Sequence, residues 1–422
     1  MGGGMSSGRA PRDGRPPSFV SDANAALRSN VLGAPCCRVA RSHVSADAGL
    51  AMYATRRIAA GEIVLVERPF ALTVAPAARA YTCAHCLADS RPSGRASWPL
   101  RCDRCRSPHY CSKECVRAAA SRHAGCECDA LKLLAPLFAE DGAIDPEDGD
   151  TISQAIRILA LRSKGLRADV GPAGRCGADA YAAHSPNSRM VGVDSTEVAA
   201  ASLDTISSLV LRAVPPAARI PPAELVDMLE RHANNEFGVS CSGGEVVATA
   251  SFVGFFHILN HSCWPNVVFD SSGRAPPPSD GGAPLFSLVA LQDIEAGEEL
   301  CHSYCDGGPD ELLELYGFEC RCPRCAERRT SAKGAADDGP VARAWREWQG
   351  ALECTAEACG AGDGVRVDGG GGGGRGHHAE EAKQGRMRMR LRCVHCAFEW
   401  MPSQAARRVL GKRPEAAAAA IA

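Results

Sequence analysis

The chain has 422 residues, 45% hydrophobic and 23% charged, with 47 Lys and Arg against 49 Asp and Glu, a formal charge of −2. This is globular composition with room for two or three domains; it excludes overall disorder, and the neutral balance argues against a coat for nucleic acid. The longest charge-free run, Val246 to Phe269, turns polar at Asn260-His261-Ser262 after about fourteen mostly apolar residues, the length of a buried core segment and too short for a membrane span.

Residues 1–42 are rich in Gly, Ala, Ser, Arg and Pro and read as a disordered leader. Being Arg-rich and acid-poor, the leader also fits an organelle transit peptide, and Met1-Gly2-Gly3-Gly4-Met5-Ser6 fits the loose myristoylation pattern. Globular text starts at His43. Glu62-Ile63-Val64-Leu65-Val66 reads as a strand entered through the turn Ala60-Gly61. The same phrasing returns at Ile294-Glu295-Ala296-Gly297-Glu298-Glu299-Leu300, after the strand-like Leu285 to Leu291. Two such turns far apart in sequence predict short strands from distant segments meeting in one β fold.

Between them the cysteines become informative. The chain has 22, from which chance would produce roughly one Cys-x2-Cys pair. Four occur: Cys83/Cys86, Cys102/Cys105, Cys322/Cys325 and Cys393/Cys396. Disulfides suit short secreted chains, and this N-terminus has no signal-peptide apolar core, so zinc in a reducing compartment explains the pairs better. Cys83, Cys86, Cys102, Cys105, Cys111, Cys115, His123 and either Cys126 or Cys128 make eight ligands in under fifty residues, enough for two tetrahedral ions. A segment that small buries too little apolar surface to fold alone, and four protein ligands per ion leave no open position, so these sites are read as structural.

Helical spacing follows. Ile152, Ala155, Ile156 and Leu159 recur after Asp150-Thr151, a plausible cap; Leu203, Ile206, Leu209 and Val210 repeat the pattern, as do Leu225, Met228 and Leu229 after Pro221-Pro222. These stripes are read as core. Ser271 to Pro284 is an exposed loop within the second β segment. Beyond it, Cys354-x4-Cys359 and Cys393-x2-Cys396 offer four more ligands across the glycine tract Gly369–Gly374. Met387 to Arg392 alternates apolar and basic residues as a strand does, and the chain closes on an alanine tail.

Asn260-His261-Ser262-Cys263-Trp264-Pro265-Asn266 resembles the signature of SET-domain protein lysine methyltransferases. Gly297-Glu298-Glu299-Leu300-Cys301-His302-Ser303-Tyr304 resembles the strand that carries that family's catalytic tyrosine, and Tyr316-Gly317-Phe318-Glu319-Cys320-Arg321-Cys322-Pro323-Arg324-Cys325 its post-SET segment. The cysteine cluster, including His109-Tyr110-Cys111-Ser112-Lys113-Glu114-Cys115, resembles a MYND zinc finger. An opening SET segment interrupted by such a finger is the mark of the SET–MYND subfamily, and the resemblance covers about residues 43 to 325.

The resemblance implies an α+β fold in which a SET β fold of short strands is interrupted by a MYND finger and a helical insert. The parts are a leader (1–42), a first SET segment (43–80), the finger (81–128), the insert (129–244), the SET core (245–306), a post-SET zinc segment (307–325) and a C-terminal region with a further zinc and a glycine-rich insertion (326–422). In the finger it implies interleaved ligands, Cys83, Cys86, Cys111 and Cys115 on one ion, and Cys102, Cys105, His123 and a last cysteine on the other. The family usually has three residues between that histidine and cysteine; Cys126 follows two and Cys128 four, and Cys128 is preferred because Glu127-Cys128-Asp129-Ala130-Leu131 matches the family's exit into a helix. A third ion would join Cys263 to Cys320, Cys322 and Cys325, and a fourth would take Cys354, Cys359, Cys393 and Cys396.

The implied activity is S-adenosylmethionine-dependent methylation of protein lysines, histone or non-histone. Gly49, Asn235, Asn260, His261, Tyr304 and Phe318 would hold the cofactor, and Tyr304 would carry catalysis. The chemistry agrees with these residue types: a lysine of pKa near 10.4 costs about 4 kcal/mol to deprotonate near neutrality, and an apolar channel beside a sulfonium lowers that cost. A phenol can hydrogen-bond the amine, and aromatic faces such as Phe318 and Tyr316 can border a cation. Implied partners are a protein presenting a lysine and, through the finger, proline-rich peptides; nucleus or cytoplasm is the implied location, with an organelle left open by the leader. The family's opening Gly-x-Gly-Leu reads Asp47-Ala48-Gly49-Leu50 here, and His257 stands where relatives often have serine. The altered loop supports a competing reading, a zinc-stabilised interaction scaffold with an inactive SET module. A nucleic-acid-binding zinc protein would show steep salt-dependent binding to duplex DNA, which the neutral charge disfavours.

Overall fold

A computed structural model describes residues 36–43, 49–138, 144–164, 196–233, 235–240, 245–275, 283–305, 308–330, 339–356, 359, 364–366, 390–395 and 398–410. The leader to residue 35, Asp47, Ala48, the glycine tract, Cys396 and the alanine tail lie outside them. Strand β1 (Cys37–Arg41) pairs along its whole length with β2 (Leu50–Ala54), so the segment read from sequence as a disordered leader contains a paired strand. Its arginines misled that reading: Cys37 and Val39 alternate inward while Arg38 and Arg41 face out.

The two look-alike turns meet, as their shared phrasing predicts. Gly61 and Gly297 both take left-handed φ (83° and 89°). Ile58 and Ile294, ahead of them, exchange both backbone hydrogen bonds (2.9 and 2.8 Å). From the first turn runs β3 (Ile63–Glu67), followed by β4 (Ala71–Val74). The finger follows, with the short pair β5 (Leu100–Arg101) and β6 (His109–Tyr110), then α1 (Lys113–His123) and α2 (Cys126–Leu134). Ser112 caps α1 by accepting from the Cys115 N–H at 3.2 Å, which fixes the spacing of Cys111 and Cys115.

The insert supplies α3 (Pro146–Ser163), α4 (Thr196–Ala213) and α5 (Pro222–Ala233). The first begins at Pro146, a turn before the predicted cap, because proline at the first helical position needs no N–H partner. Ile152, Ala155, Ile156, Leu159, Ile206, Val210, Leu225, Met228 and Leu229 form one apolar core with Phe70 and Ala71. Gln154, fully buried, locks α3 to the β sheet: its amide donates to Ser251 Oγ (2.9 Å) and the Ala71 carbonyl (3.3 Å) and accepts from Thr73 Oγ1 (2.7 Å).

Strands β7 (Glu236–Ser240) and β8 (Val246–Ser251) pair with β4 in the order β4-β8-β7. After β9 (Asn260–His261) come β10 (Val267–Ala275), β11 (Leu285–Ala290) and β12 (Glu299–His302). A second sheet runs β10-β11-β3, and a third runs β1-β2-β12-β9, with β12 antiparallel to β2 and parallel to β9. Segments more than two hundred residues apart thus meet in one sheet, around a core that includes Met52, Leu65, Phe252, Phe256, Phe286, Ile294 and Leu300.

The C-terminal part adds α6 (Pro309–Tyr316), α7 (Pro323–Thr330), α8 (Pro340–Leu352), the sheet β13 (Gly364–Arg366), β14 (Leu391–Cys393) and β15 (Glu399–Trp400), and α9 (Gln404–Leu410). It docks on the β core through Trp348, Leu352, Val365, Leu391 and Val394 against Trp264, Val289 and Leu291. Beside that contact Arg392 forms an ion pair with Asp270, whose side chain is 1% exposed. Asp270→Ala would leave the guanidinium without its carboxylate in a dry interface, and is expected to lower stability by about 3 kcal/mol in denaturant unfolding with zinc present. Mixed helices and short strands are what the α+β expectation requires. Among the described residues no helix is long and apolar enough to cross a membrane.

Candidate active site and thiolate centres

Four groups of ligating atoms lie within 4.8 Å of one another: Cys83, Cys86, Cys111 and Cys115; Cys102, Cys105, His123 and Cys128; Cys263, Cys320, Cys322 and Cys325; and Cys354, Cys359 and Cys393. Sulfur–sulfur distances of 3.5 Å (Cys86–Cys111, Cys111–Cys115), 3.6 Å (Cys102–Cys128, Cys325–Cys263) and 3.7 Å (Cys359–Cys393) decide the chemistry. They are far too long for a disulfide at about 2.05 Å. They match the roughly 3.8 Å edge of a tetrahedron whose sulfurs sit about 2.3 Å from a central zinc. The donor sets therefore fit zinc.

In the second group the geometry selects Cys128; Cys126 is buried in the helical core with Ala130 and Leu134. His123 Nε2 lies 3.4 Å from Cys105 Sγ, while Nδ1 meets the buried Glu127 carboxylate at 3.1 Å, which in turn accepts from Arg157 Nε at 2.9 Å. A carboxylate on the outer nitrogen fixes the tautomer that presents Nε2 as a ligand. Burial opposes the Glu127 charge, but the Arg157 guanidinium and His123 together hold the carboxyl below its usual range. Glu127 and Arg157 were missed from sequence; the i, i+4 spacing of His123 and Glu127 was the available signal. In the fourth group Cys396 lies outside the described residues.

The third group adjoins an aromatic cluster. Tyr304, Tyr316 and Phe318 pack on the buried Cys263, Leu312, Cys320, Cys322 and Cys325. The Tyr304 ring lies 5.1 Å from Tyr316, 6.3 Å from Phe318, 5.3 Å from His261 and 4.9 Å from His302 between centroids. Its hydroxyl donates to the Leu259 carbonyl at 2.6 Å. Burial, with the neighbouring Cys301, pushes the phenol well above its usual range, so it stays neutral and acts as a hydrogen-bonding hydroxyl. His302 stacks on Phe237 (5.5 Å, 17°), and burial pushes its pKa down to about 3, keeping the imidazole uncharged. Neither His302 nor Phe237 was singled out from sequence, because only the fold brings β7 beside β12.

Asn260 sits next to Cys301 across the parallel β9–β12 pair. Its amide N–H groups donate to Glu299 Oε1 (2.7 Å) and the Leu50 carbonyl (3.1 Å), which leaves Oδ1 as the atom available to accept from a ligand cation. Glu299 is held on its other oxygen by Tyr53 (3.0 Å) and Ser42 (3.2 Å). Gly49, adjacent to Leu50, takes φ 70°, a conformation that brings backbone close without a Cβ in the way. Glu67 accepts from the N–H groups of Gly254, Phe255 and Phe256 (2.7, 2.8 and 3.0 Å) and so shapes the turn leading to Leu259 and Asn260. Glu67, Glu299 and Tyr53 went unread because carboxylates and phenols on strands carry no spacing signal. Asn235 Nδ2 caps the end of α5 by donating to the Arg231 carbonyl at 2.7 Å.

The family model for the SET domain matches residues 49–305. The chain is 26% identical over 316 residues to the human histone-lysine N-methyltransferase SMYD3, covering 73% of this chain and 66% of that one. It is 24% identical over 309 residues to the Arabidopsis thaliana histone-lysine N-methyltransferase ASHR2, covering 69% and 73%. It thus spans slightly under two thirds of the length of SMYD3. Superposition on the SET domain of LSMT bound to lysine and AdoHcy gives a TM-score of 0.42 at 14% identity, covering 76% of this chain and 62% of that one.

Proposed function

Since the chain belongs to the SET-domain family, we propose that it is an S-adenosylmethionine-dependent methyltransferase of the SET–MYND type, acting on lysine side chains of proteins. The observation that carries this reading is the meeting of His261, Tyr304 and Phe318, from three separate segments, at one half-buried aromatic site beside a four-thiolate cluster, with Asn260 next to His261 on β9.

The methyl donor supplies an electrophilic methyl group on a sulfonium. Asn260 Oδ1, the left-handed backbone at Gly49 and the Glu299 carboxylate behind Asn260 suit the cationic end of such a molecule, and Phe318 and Tyr304 offer aromatic surface. Tyr304, neutral and fixed by Leu259, would orient the lysine amine by hydrogen bonding, while its ring, with Tyr316, excludes water. A dry aromatic channel also lowers the amine pKa, which favours the neutral nucleophile.

The thiolate groups are proposed as structural zinc sites: two in a MYND finger over 81–128, one that fixes the post-SET segment 307–325 against Cys263, and one in the 326–422 region, where Cys396 would complete Cys354, Cys359 and Cys393. The resemblance supports a protein-binding role for the finger, with proline-rich peptides as ligands, and a nuclear or cytoplasmic location. The test is incubation of the full chain with tritium-labelled S-adenosylmethionine and a panel of core histones and cell-extract proteins. Label on lysine is the expected result; neither transfer nor donor binding would remove the enzyme reading in favour of a scaffold.

A further inference from the structure

We propose that His261 is a positioning residue, whose side chain couples the Cys263–Cys320–Cys322–Cys325 cluster to Tyr304; the claim rests on the reading of Tyr304 as the catalytic phenol. The family resemblance places His261 among the residues that would hold the cofactor and gives its ring no task of its own. Besides reaching Cys320, that ring makes two polar contacts that link the cluster to the tyrosine. Nδ1 accepts the Tyr304 backbone N–H at 3.0 Å, and Nε2 lies 3.2 Å from Cys263 Sγ. A ring that accepts at Nδ1 carries its proton on Nε2, so the second contact is an N–H donated to sulfur.

The position explains why a side chain is needed. The parallel pairing of β9 with β12 ends at His261 opposite His302. Tyr304 lies two residues further on, past the end of the ladder, and its N–H is met by the imidazole, as if the strand pairing were extended by one rung. The phenol then reaches the Leu259 carbonyl at 2.6 Å. On its other side the imidazole grips a sulfur that also faces Cys325 at 3.6 Å. A metal-bound thiolate accepts a hydrogen bond more strongly than a neutral thiol, so a loaded cluster holds the ring, and through it the tyrosine, more firmly than an empty one. Edge-on packing of His261 against Tyr304 (69°) and Phe318 (70°) leaves the ring little room to turn.

Three variants of the full zinc-loaded chain separate the two contacts. In His261→Asn the side-chain oxygen stands where Nδ1 was, keeping the acceptor for Tyr304 and losing the donor to sulfur. His261→Gln keeps a donor near the Nε2 position and loses the acceptor. His261→Ala loses both. Turnover and apparent KM are read with tritium-labelled S-adenosylmethionine and core histones, donor affinity by calorimetry with S-adenosylhomocysteine, and the sulfur contact by the thiolate-to-metal absorption band of cobalt-substituted protein.

The expected result is a kcat loss of about 100-fold in the Ala and Gln variants, the scale of a reacting group misplaced by about 1 Å, and a smaller loss of about tenfold in the Asn variant, which keeps the acceptor for Tyr304 but lets go of the cluster. Donor affinity should stay within about threefold throughout, since both nitrogens of the ring are turned to Tyr304 and Cys263. The cobalt band should shift in Ala and Asn and not in Gln. Wild-type kcat in either His261→Ala or His261→Asn, or an unshifted cobalt band in either, overturns the proposal. A wild-type chain that neither binds donor nor transfers methyl defeats the enzyme reading itself, a different outcome from active wild type with indifferent variants.

Discussion

Replacing Tyr304 with phenylalanine is expected to lower methyl transfer about 10²–10³-fold while donor affinity stays where it was. The substitution removes one oxygen. The ring keeps its neighbours, Tyr316 at 5.1 Å, His302 at 4.9 Å and Phe318 at 6.3 Å, so packing changes little. Lost is the hydroxyl bonded to the Leu259 carbonyl, and with it the group that would hold the substrate amine in line. Stability should fall by only about 1 kcal/mol, the worth of one hydrogen bond, which separates this variant from those that fail to fold. Because burial keeps the phenol neutral well above physiological pH, the rate should show no rise that follows formation of a phenolate between pH 7 and 9. Single-turnover transfer with labelled donor, alongside calorimetric donor binding, checks both points. A phenylalanine variant that retains more than half the wild-type rate removes Tyr304 from its role.

Cys263→Ser is expected to abolish transfer and to lower the melting temperature by a larger margin than any other single change considered. Structural zinc contributes apparent binding energy of about 10–16 kcal/mol per site, as large as the whole stability of a typical domain, at about 5–15 kcal/mol. The cluster organises more than itself: Leu312 is fully buried against it, and Tyr304, Tyr316 and Phe318 pack on its cysteines. Cys263 is also the member contributed by the Asn260–Asn266 motif, joining the motif to the segment that carries Cys320, Cys322 and Cys325. Serine is a poor zinc ligand, so the site should empty. Atomic emission on the wild-type chain should give three to four zinc ions, with one fewer in the variant. Equal zinc content in both would mean the four sulfurs do not share an ion.

What was legible in the sequence is what recurs at fixed spacing. Cys-x2-Cys pairs announce a shared ligand because a short loop is all that pairing needs, and the grouping of Cys83 and Cys86 with Cys111 and Cys115 follows from the MYND resemblance. The stripes through Ile152, Ile206 and Leu225 were legible because helices repeat every 3.6 residues. The two Gly-Glu turns were readable from their shared phrasing, although only the fold puts Ile58 opposite Ile294. Groups that act through the tertiary fold were not legible. Glu299 meets Ser42 and Tyr53, hundreds of residues away in sequence, and nothing in Glu298-Glu299 says which carboxylate turns inward. Phe237 and His302 stack although they come from strands of two different sheets, 65 residues apart in sequence. The early strand Cys37–Arg41 was hidden by arginines that face outward, where composition looks disordered although Cys37 and Val39 are core. The cap that Asn235 makes at the end of α5 was likewise hidden, because nothing in Asn234-Asn235 says which amide turns back to the Arg231 carbonyl.

The most direct test of the central claim is a calorimetric titration of S-adenosylmethionine into the full zinc-loaded chain, repeated with Asn260→Ala. Convergence of Asn260, Tyr304 and Phe318 on one donor predicts a single saturable site in the wild type, weakened about tenfold or more when the Asn260 amide is removed. No saturable heat, or binding that ignores the loss of Asn260, would contradict it.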